Sequence, residues 1–191
     1  MRTYLALKKD IFSIDNFTIM PIRFEDRFKI MKWRNEQIYH LRQDEPLTPE
    51  NQEKYFTEVI PELFKLKQPD QLLFSFLENE ICIGYGGLVK INWLDKNAEI
   101  SFIMNTELEK NNFDKFWCIF LMLIEEIAFK DINLHKIYTY AFDLRPNLYK
   151  VLLNSGYIEE ARLSEHCFFQ NKYIDILIHT KTNDRIQESK Y

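Results

Sequence analysis

Residues 81–93 read ICIGYGGLVKINW, residues 95–104 read DKNAEISFIM, and residues 105–130 read NTELEKNNFDKFWCIFLMLIEEIAFK. The first piece is apolar and β-branched around Gly84, Gly86 and Gly87, which suits a strand that other backbone approaches closely. The second alternates: Ala98, Ile100, Phe102 and Met104 face one way, and Glu99, Ser101 and Ile103 the other. The third sets Phe113, Phe116, Trp117, Phe120, Leu121, Ile124, Ile127 and Ala128 at helical spacing, over a face wide enough to require burial. Strand, turn, strand, tight loop and buried helix form one compact unit. Both flanks read as wrappings around it.

On the N-terminal side, residues 3–8 suggest a short strand and FTIMPIR (17–23) a first core strand. A helix is expected over residues 25–40, with Phe28, Ile30, Met31, Trp33 and Ile38 as its apolar side. Thr48 can cap the next helix with Pro49 at its first position, and Pro61 kinks or splits it. QLLFSFLE (71–78) joins the glycine-rich strand through Asn79-Glu80, a two-residue hairpin whose Asn tolerates a left-handed backbone. Beyond the buried helix come a strand at 136–142, a helix at 147–154 stopped by Gly156, and a strand pair at 158–169 and 173–180. The polar tail 183–191 is expected to fray. This is one α+β domain over residues 1–182 with a mixed, mainly antiparallel sheet.

The 191 residues suit a single domain, and 46% hydrophobic with 15% aromatic residues excludes a disordered chain. The net charge of −4 is spread without a basic stripe, so no nucleic-acid partner is expected. Cys82, Cys118 and Cys167 are odd in number, far apart and set in apolar sequence, as buried reduced thiols are. No stretch approaches ~18 uninterrupted apolar residues and the N-terminus lacks a signal-like run. The expectation is a soluble cytoplasmic protein with no membrane partner.

The element order, with AEISF (98–102) before the long helix and NLYKVLLNSGY (147–157) after it, resembles the GNAT superfamily of N-acetyltransferases. Within it the chain is most similar to the RimJ/RimL-like branch, on ICIGYGGL (81–88), AEISFIM (98–104) and LHKIYTYAFDLRPNLYKVLLNSGYIEEARL (134–163). The resemblance implies a twisted sheet of about six to seven strands with about four helices. It also implies a V-shaped splay between the strand before the long helix and the strand after it. Acetyl-CoA would lie there as co-substrate, its pantetheine arm on the backbone of Phe102, Ile103 and Met104. The pyrophosphate would meet N–H groups at the start of the long helix. The family motif there is Q/R-x-x-G-x-G/A. The aligned segment is Glu109-Lys110-Asn111-Asn112-Phe113-Asp114, without a glycine, with Lys115 following. Asn147 resembles a further cofactor contact, with N-terminal capping as its structural alternative, and Arg145 is comparable.

The implied reaction is attack of a free amine on a thioester, which needs a base, N–H donors for the oxyanion and an acid. Glu99 matches the glutamate of the branch's AEIGY-like motif and is the expected base. Its structural alternative is pairing with Lys90. Leu152 stands where many family members carry the acidic tyrosine, and Tyr149, one turn earlier, is the expected substitute. The acceptor pocket would draw on Trp33, Arg34, Asn35 and Arg42, a polar–aromatic set suited to an amino-sugar or nucleotide-sugar. His166 and His179 have no ligand spacing around them, so no metal is expected. The leading function is N-acetyl transfer to a small-molecule amine. The rival is a binding or scaffold protein that no longer holds acetyl-CoA because its loop lacks glycine. The exposed last strand pair is the expected surface of a homodimer.

Overall fold

The computed structural model describes residues 3–41 and 43–183. Its strands are β1 (Phe12–Ile14), β2 (Phe17–Pro21), β3 (Leu72–Glu78), β4 (Ile81–Asn92), β5 (Asn97–Met104), β6 (Lys136–Phe142), β7 (Ile158–Phe169) and β8 (Lys172–Thr182). They form one eight-stranded sheet in the order β1-β2-β3-β4-β5-β6-β8-β7. All neighbours are antiparallel except β5 and β6, which run parallel. The α+β class is as expected, with a larger sheet. Phe12–Ile14 folds back on β2 through Asp15, at φ 52, and adds an edge strand that three residues of pattern could not announce. The expected strand at residues 3–8 is absent. There Tyr4 turns inward instead, its hydroxyl donating to the Leu73 carbonyl at 2.9 Å and accepting from the Leu73 amide at 3.0 Å.

The helices are α1 (Arg27–Glu36), α2 (Pro49–Lys54), α3 (Ile60–Lys65), α4 (Thr106–Glu125) and α5 (Pro146–Asn154). Thr48 caps α2, accepting from the Asn51 amide at 3.2 Å. A π-helical turn, Tyr55–Val59, joins α2 to α3. Pro61 has no N–H to return to the preceding turn, so the helical ladder is interrupted there rather than ended. Asn79 and Glu80 both take left-handed backbone angles, φ 48 and 67, as the two-residue hairpin requires.

Ala98, Ile100, Phe102 and Met104 turn toward α4, where Phe102 stacks on Phe120 with ring centres 3.9 Å apart. The opposite face of β4 and β5 carries Tyr85 and Ser101 and is covered by α1 and α2. Gly86 lets these strands close: a Cβ there would stand 2.2 Å from the Ser101 carbonyl oxygen. The start of α4 differs from expectation. Asn105 caps it directly after β5, accepting from the Glu107 amide at 2.9 Å, so residues 109–114 are helix and not a loop. No Gly or Pro interrupts that run, and Glu107 and Glu109 favour the positive end of the helix. At the C-terminal end Asn183 is anchored rather than frayed, its amide donating to the Leu134 carbonyl at 3.2 Å. Residues 184–191 lie outside the described residues.

Candidate active site

β5 and β6 are paired only at Asn97↔Lys136, Ala98↔Ile137 and Glu99↔Tyr138. Beyond Glu99, β5 continues beside β4 while β6 continues beside β8. The two strands therefore part, and the edge of β5 from Ile100 onward has no β6 partner. This is the expected splay. The cavity at its root measures about 110 Å³ and is lined by His40, Glu99, Phe102, Trp117, Tyr140 and Arg145 among others. A larger cavity, about 370 Å³, lies on the face covered by α1 and α2, with Arg34, Asn51, Tyr55, Gln71 and Tyr85 in its wall. Ser101 lines both cavities. Glu99 is its neighbour on the same strand face, so the carboxylate stands where the two spaces approach each other.

Glu99 is buried, and its Oε2 lies 2.8 Å from Lys90 Nζ. The contact is an ion pair rather than an aligned hydrogen bond. Lys90 sits at φ 51 within a register irregularity of β4, which re-aims its side chain. The structural alternative for Glu99 is thus realised, with Lys90 solvent-exposed along most of its length.

The mouth of the splay is closed by charged groups. Arg145 Nη2 donates to Glu109 Oε1 at 2.5 Å in a pair that is largely buried. The same guanidinium lies 5.2 Å from the centre of the Phe113 ring and 3.5 Å from His40 Nδ1. Burial, with Arg145 nearby, pushes the His40 pKa down to about 3. Gln37, just after α1, donates from Nε2 to the Met104 carbonyl at 2.8 Å.

The remaining expected residues divide. Phe102 is buried in the packing against α4, Ile103 is buried on the other face, and Met104 has its carbonyl taken by Gln37. The segment expected to hold pyrophosphate does not form its cradle. Asn111 and Asp114 are exposed on α4, and the Asn112 amide donates to the Leu108 carbonyl one turn back. Lys115 turns away to Glu78, at 3.8 Å, and to the Phe17 ring. Of that segment Phe113 lies beside the splay, under Arg145, and Glu109 pairs with the same guanidinium. Asn147 is exposed and caps nothing; Arg145 occupies the cap position of α5. Tyr149 lines neither cavity. Its hydroxyl donates to the Phe142 carbonyl at 2.8 Å, and burial pushes its pKa up to about 12, which makes it a poor acid. Trp33 is core, and Asn35 pins the following loop by accepting from the Leu47 amide and donating to its carbonyl. Arg42 lies outside the described residues. Only Arg34 of the expected acceptor set lines the pocket.

The sequence reading passed over Tyr85, Ser101, Gln37 and the Glu109–Arg145 pair. Alternation along β4 and β5 places Tyr85 and Ser101 on the Glu99 face. The Glu109–Arg145 contact spans 36 positions and has no local signature. The residues present fit the arm of acetyl-CoA, along an unpartnered β5 edge, and not a diphosphate on residues 109–114.

Residues 19–178 match the family described as acetyltransferase (GNAT) domain. The chain belongs to that family. Among curated GNAT proteins it is similar to spermidine N(1)-acetyltransferase of Vibrio cholerae, 28% identical over 94 residues, which is 49% of this chain and 53% of that one. The match spans about half the length of that relative. A solved spermidine N-acetyltransferase from Vibrio cholerae, in complex with CoA and spermine, superposes with a TM-score of 0.74 at 20% identity, over 90% of this chain and 98% of that one. A dodecameric structure of the Vibrio cholerae enzyme gives 0.71 at 22% identity, over 92% and 99% of the two chains. These likenesses establish the GNAT fold. The family match is to the GNAT domain as a whole and does not single out the RimJ/RimL-like branch.

Proposed function

We propose that this GNAT protein is an acetyl-CoA-dependent N-acetyltransferase that acts on an amine of a small molecule. The observation that carries the reading is the parting of β5 from β6 beyond Glu99, with the acceptor cavity reaching the same place at Ser101. Bound acetyl-CoA supplies the thioester whose acyl carbon the amine attacks. Glu99 takes the proton that the amine must lose, and Lys90 holds the carboxylate in place. The backbone N–H of Met104, which strand alternation turns to the open β5 edge, is suited to the developing oxyanion, while Ile103 faces β4. Arg145, released from Glu109, is a cation lining the splay that suits phosphate.

The names of the relatives make spermidine the first amine to try, and they lend no support to an amino-sugar. Nothing in the comparisons favours the scaffold reading. The exposed face of β7 and β8 is proposed as a self-association surface, in keeping with a relative described as dodecameric. The test is calorimetric titration with acetyl-CoA and CoA, followed by thiol release with an amine panel. Micromolar binding with amine-dependent release supports the enzyme. No heat at millimolar ligand and an unchanged melting temperature would sink it.

A further inference from the structure

The cavity between α1, α2 and the Tyr85–Ser101 face is larger than the splay and has an uneven charge. Among the described residues Arg34 is the only charged side chain in its wall; the other polar members are amides and hydroxyls such as Asn51, Gln71, Tyr85 and Ser101. Arg34 is held by neutral atoms. Its Nε and Nη2 donate to Gln43 Oε1 at 3.0 and 2.8 Å, and its Nη1 donates to the Tyr85 hydroxyl at 2.6 Å. Three of the five N–H groups of a guanidinium are thereby used, leaving one on each terminal nitrogen. Two such donors form the fork that grips a carboxylate or a phosphate.

The charge of Arg34 is thus positioned but not neutralised within the described residues. Glu99 lies nearby on the strand face, and its charge is matched by Lys90. Of the acids around it, Glu53 pairs with Arg27 and Asp26 with Arg23 and Ser75, while Asp70 stands within electrostatic reach of Tyr55 but not in the cavity wall. A polyamine entering this cavity would bring ammonium groups to a guanidinium with no carboxylate between them. In a part-buried space of reduced dielectric that is repulsive. The relatives act on spermidine by name, but the charged side chain in this wall has the same sign as a polyamine.

We infer that the acceptor is an amine that also carries an anionic group, a carboxylate or a phosphate. Arg34 grips the anion beside Tyr85, and the amine points along Ser101 toward Glu99. The destination of the amine rests on the acetyltransferase reading; the grip on the anion does not.

The test is a matched series on one five-carbon chain, titrated calorimetrically into the full protein with CoA present: 5-aminopentanol, 5-aminopentanoate, 5-aminopentyl phosphate, cadaverine, and then spermidine. At least one anionic amine is expected to bind about tenfold or more tighter than the alcohol, with cadaverine and spermidine weakest. Comparison of the two anionic arms separates carboxylate from phosphate. Arg34→Gln should abolish the preference and Arg34→Lys should keep part of it, with circular dichroism confirming that both fold. Tighter binding of cadaverine or spermidine overturns the inference, as does no binding of either anion or a preference that survives Arg34→Gln. Acetylation of spermidine in preference to the anionic amines would overturn it while upholding the acetyltransferase. Anion-selective binding without acetyl transfer to any amine would do the reverse.

Discussion

A carboxylate buried on a sheet face must justify its desolvation, and Glu99 does so through Lys90. The lysine end of the pair is mostly exposed, while the carboxylate is buried. Glu99→Gln keeps the shape and removes the base. Turnover should fall by ~100-fold or more with CoA affinity nearly unchanged, and equal turnover would remove Glu99 from the mechanism. His40 gives a second residue-scale expectation. Its folded pKa, pushed down to about 3, lies below the ordinary histidine value near 6.5, so the neutral form is the folded form. Between those values the unfolded chain binds more protons, and stability is full above pH ~6.5 and lost as the pH falls toward 3. His40→Gln should flatten that acid limb by up to about 1.4 kcal/mol per pH unit in urea titrations between pH 6 and 4. An unaltered slope would mean that His40 takes up its proton without unfolding. At this scale legibility was uneven. Trp33 and Arg34 are adjacent, but helical geometry sends one into the core and the other to the cavity.

Elements were more legible than residues, because periodicity survives where individual contacts do not. The meander of β3, β4 and β5, the Asn79-Glu80 turn and the buried length of α4 all follow from alternation, turn chemistry and apolar spacing. What failed was the start of α4. A family pattern suggested a loop, while the residues themselves, an Asn cap and an unbroken helical run, formed a helix. Two predictions belong here. Gly86→Ala would drive a Cβ into the Ser101 carbonyl oxygen at 2.2 Å, so β4 and β5 must separate. The expected loss is about 3 kcal/mol or more, lowering the melting temperature by roughly 6–12 °C. Gly156→Ala, strained only by its φ of +82 and meeting nothing nearer than 3.7 Å, should cost about 1–2 kcal/mol. Similar losses for the two would mean that strand approach is not the constraint at Gly86. The Glu109–Arg145 pair ties α4 to the start of α5 across the mouth of the splay. Glu109→Gln frees the guanidinium and should tighten CoA by ~3–10-fold, while Arg145→Ala should weaken it. If neither changes affinity by calorimetry, Arg145 does not reach phosphate.

For the molecule as a whole, the sheet's one parallel pair is what makes a site possible. An antiparallel partner for β5 would have continued along its edge, whereas β6 enters parallel, pairs at three positions and leaves with β8. The order of elements in the chain made this readable; the charge of the acceptor cavity, assembled from α1, the following loop and β4, was not. The far end of the sheet poses the last question. β7 is a twelve-residue strand with β8 as its one neighbour, and such an edge invites pairing with another chain. Two register irregularities, one containing Glu165 at φ 50, bend it and discourage simple strand addition. Apolar surface remains at its ends instead, with Ile158, Phe168 and Tyr173 each more than 60% exposed. Phe168 and Tyr173 stand opposite each other across the final hairpin with rings 5.2 Å apart, a ready-made aromatic knob. Self-association through that knob should give a particle of at least twice the 23.3 kDa chain mass in light scattering after gel filtration. The double substitution Phe168→Glu and Tyr173→Glu should return it to a monomer with an unchanged melting profile, since neither ring is core. A wild-type mass of one chain at micromolar concentration would show that the knob serves something other than a second copy.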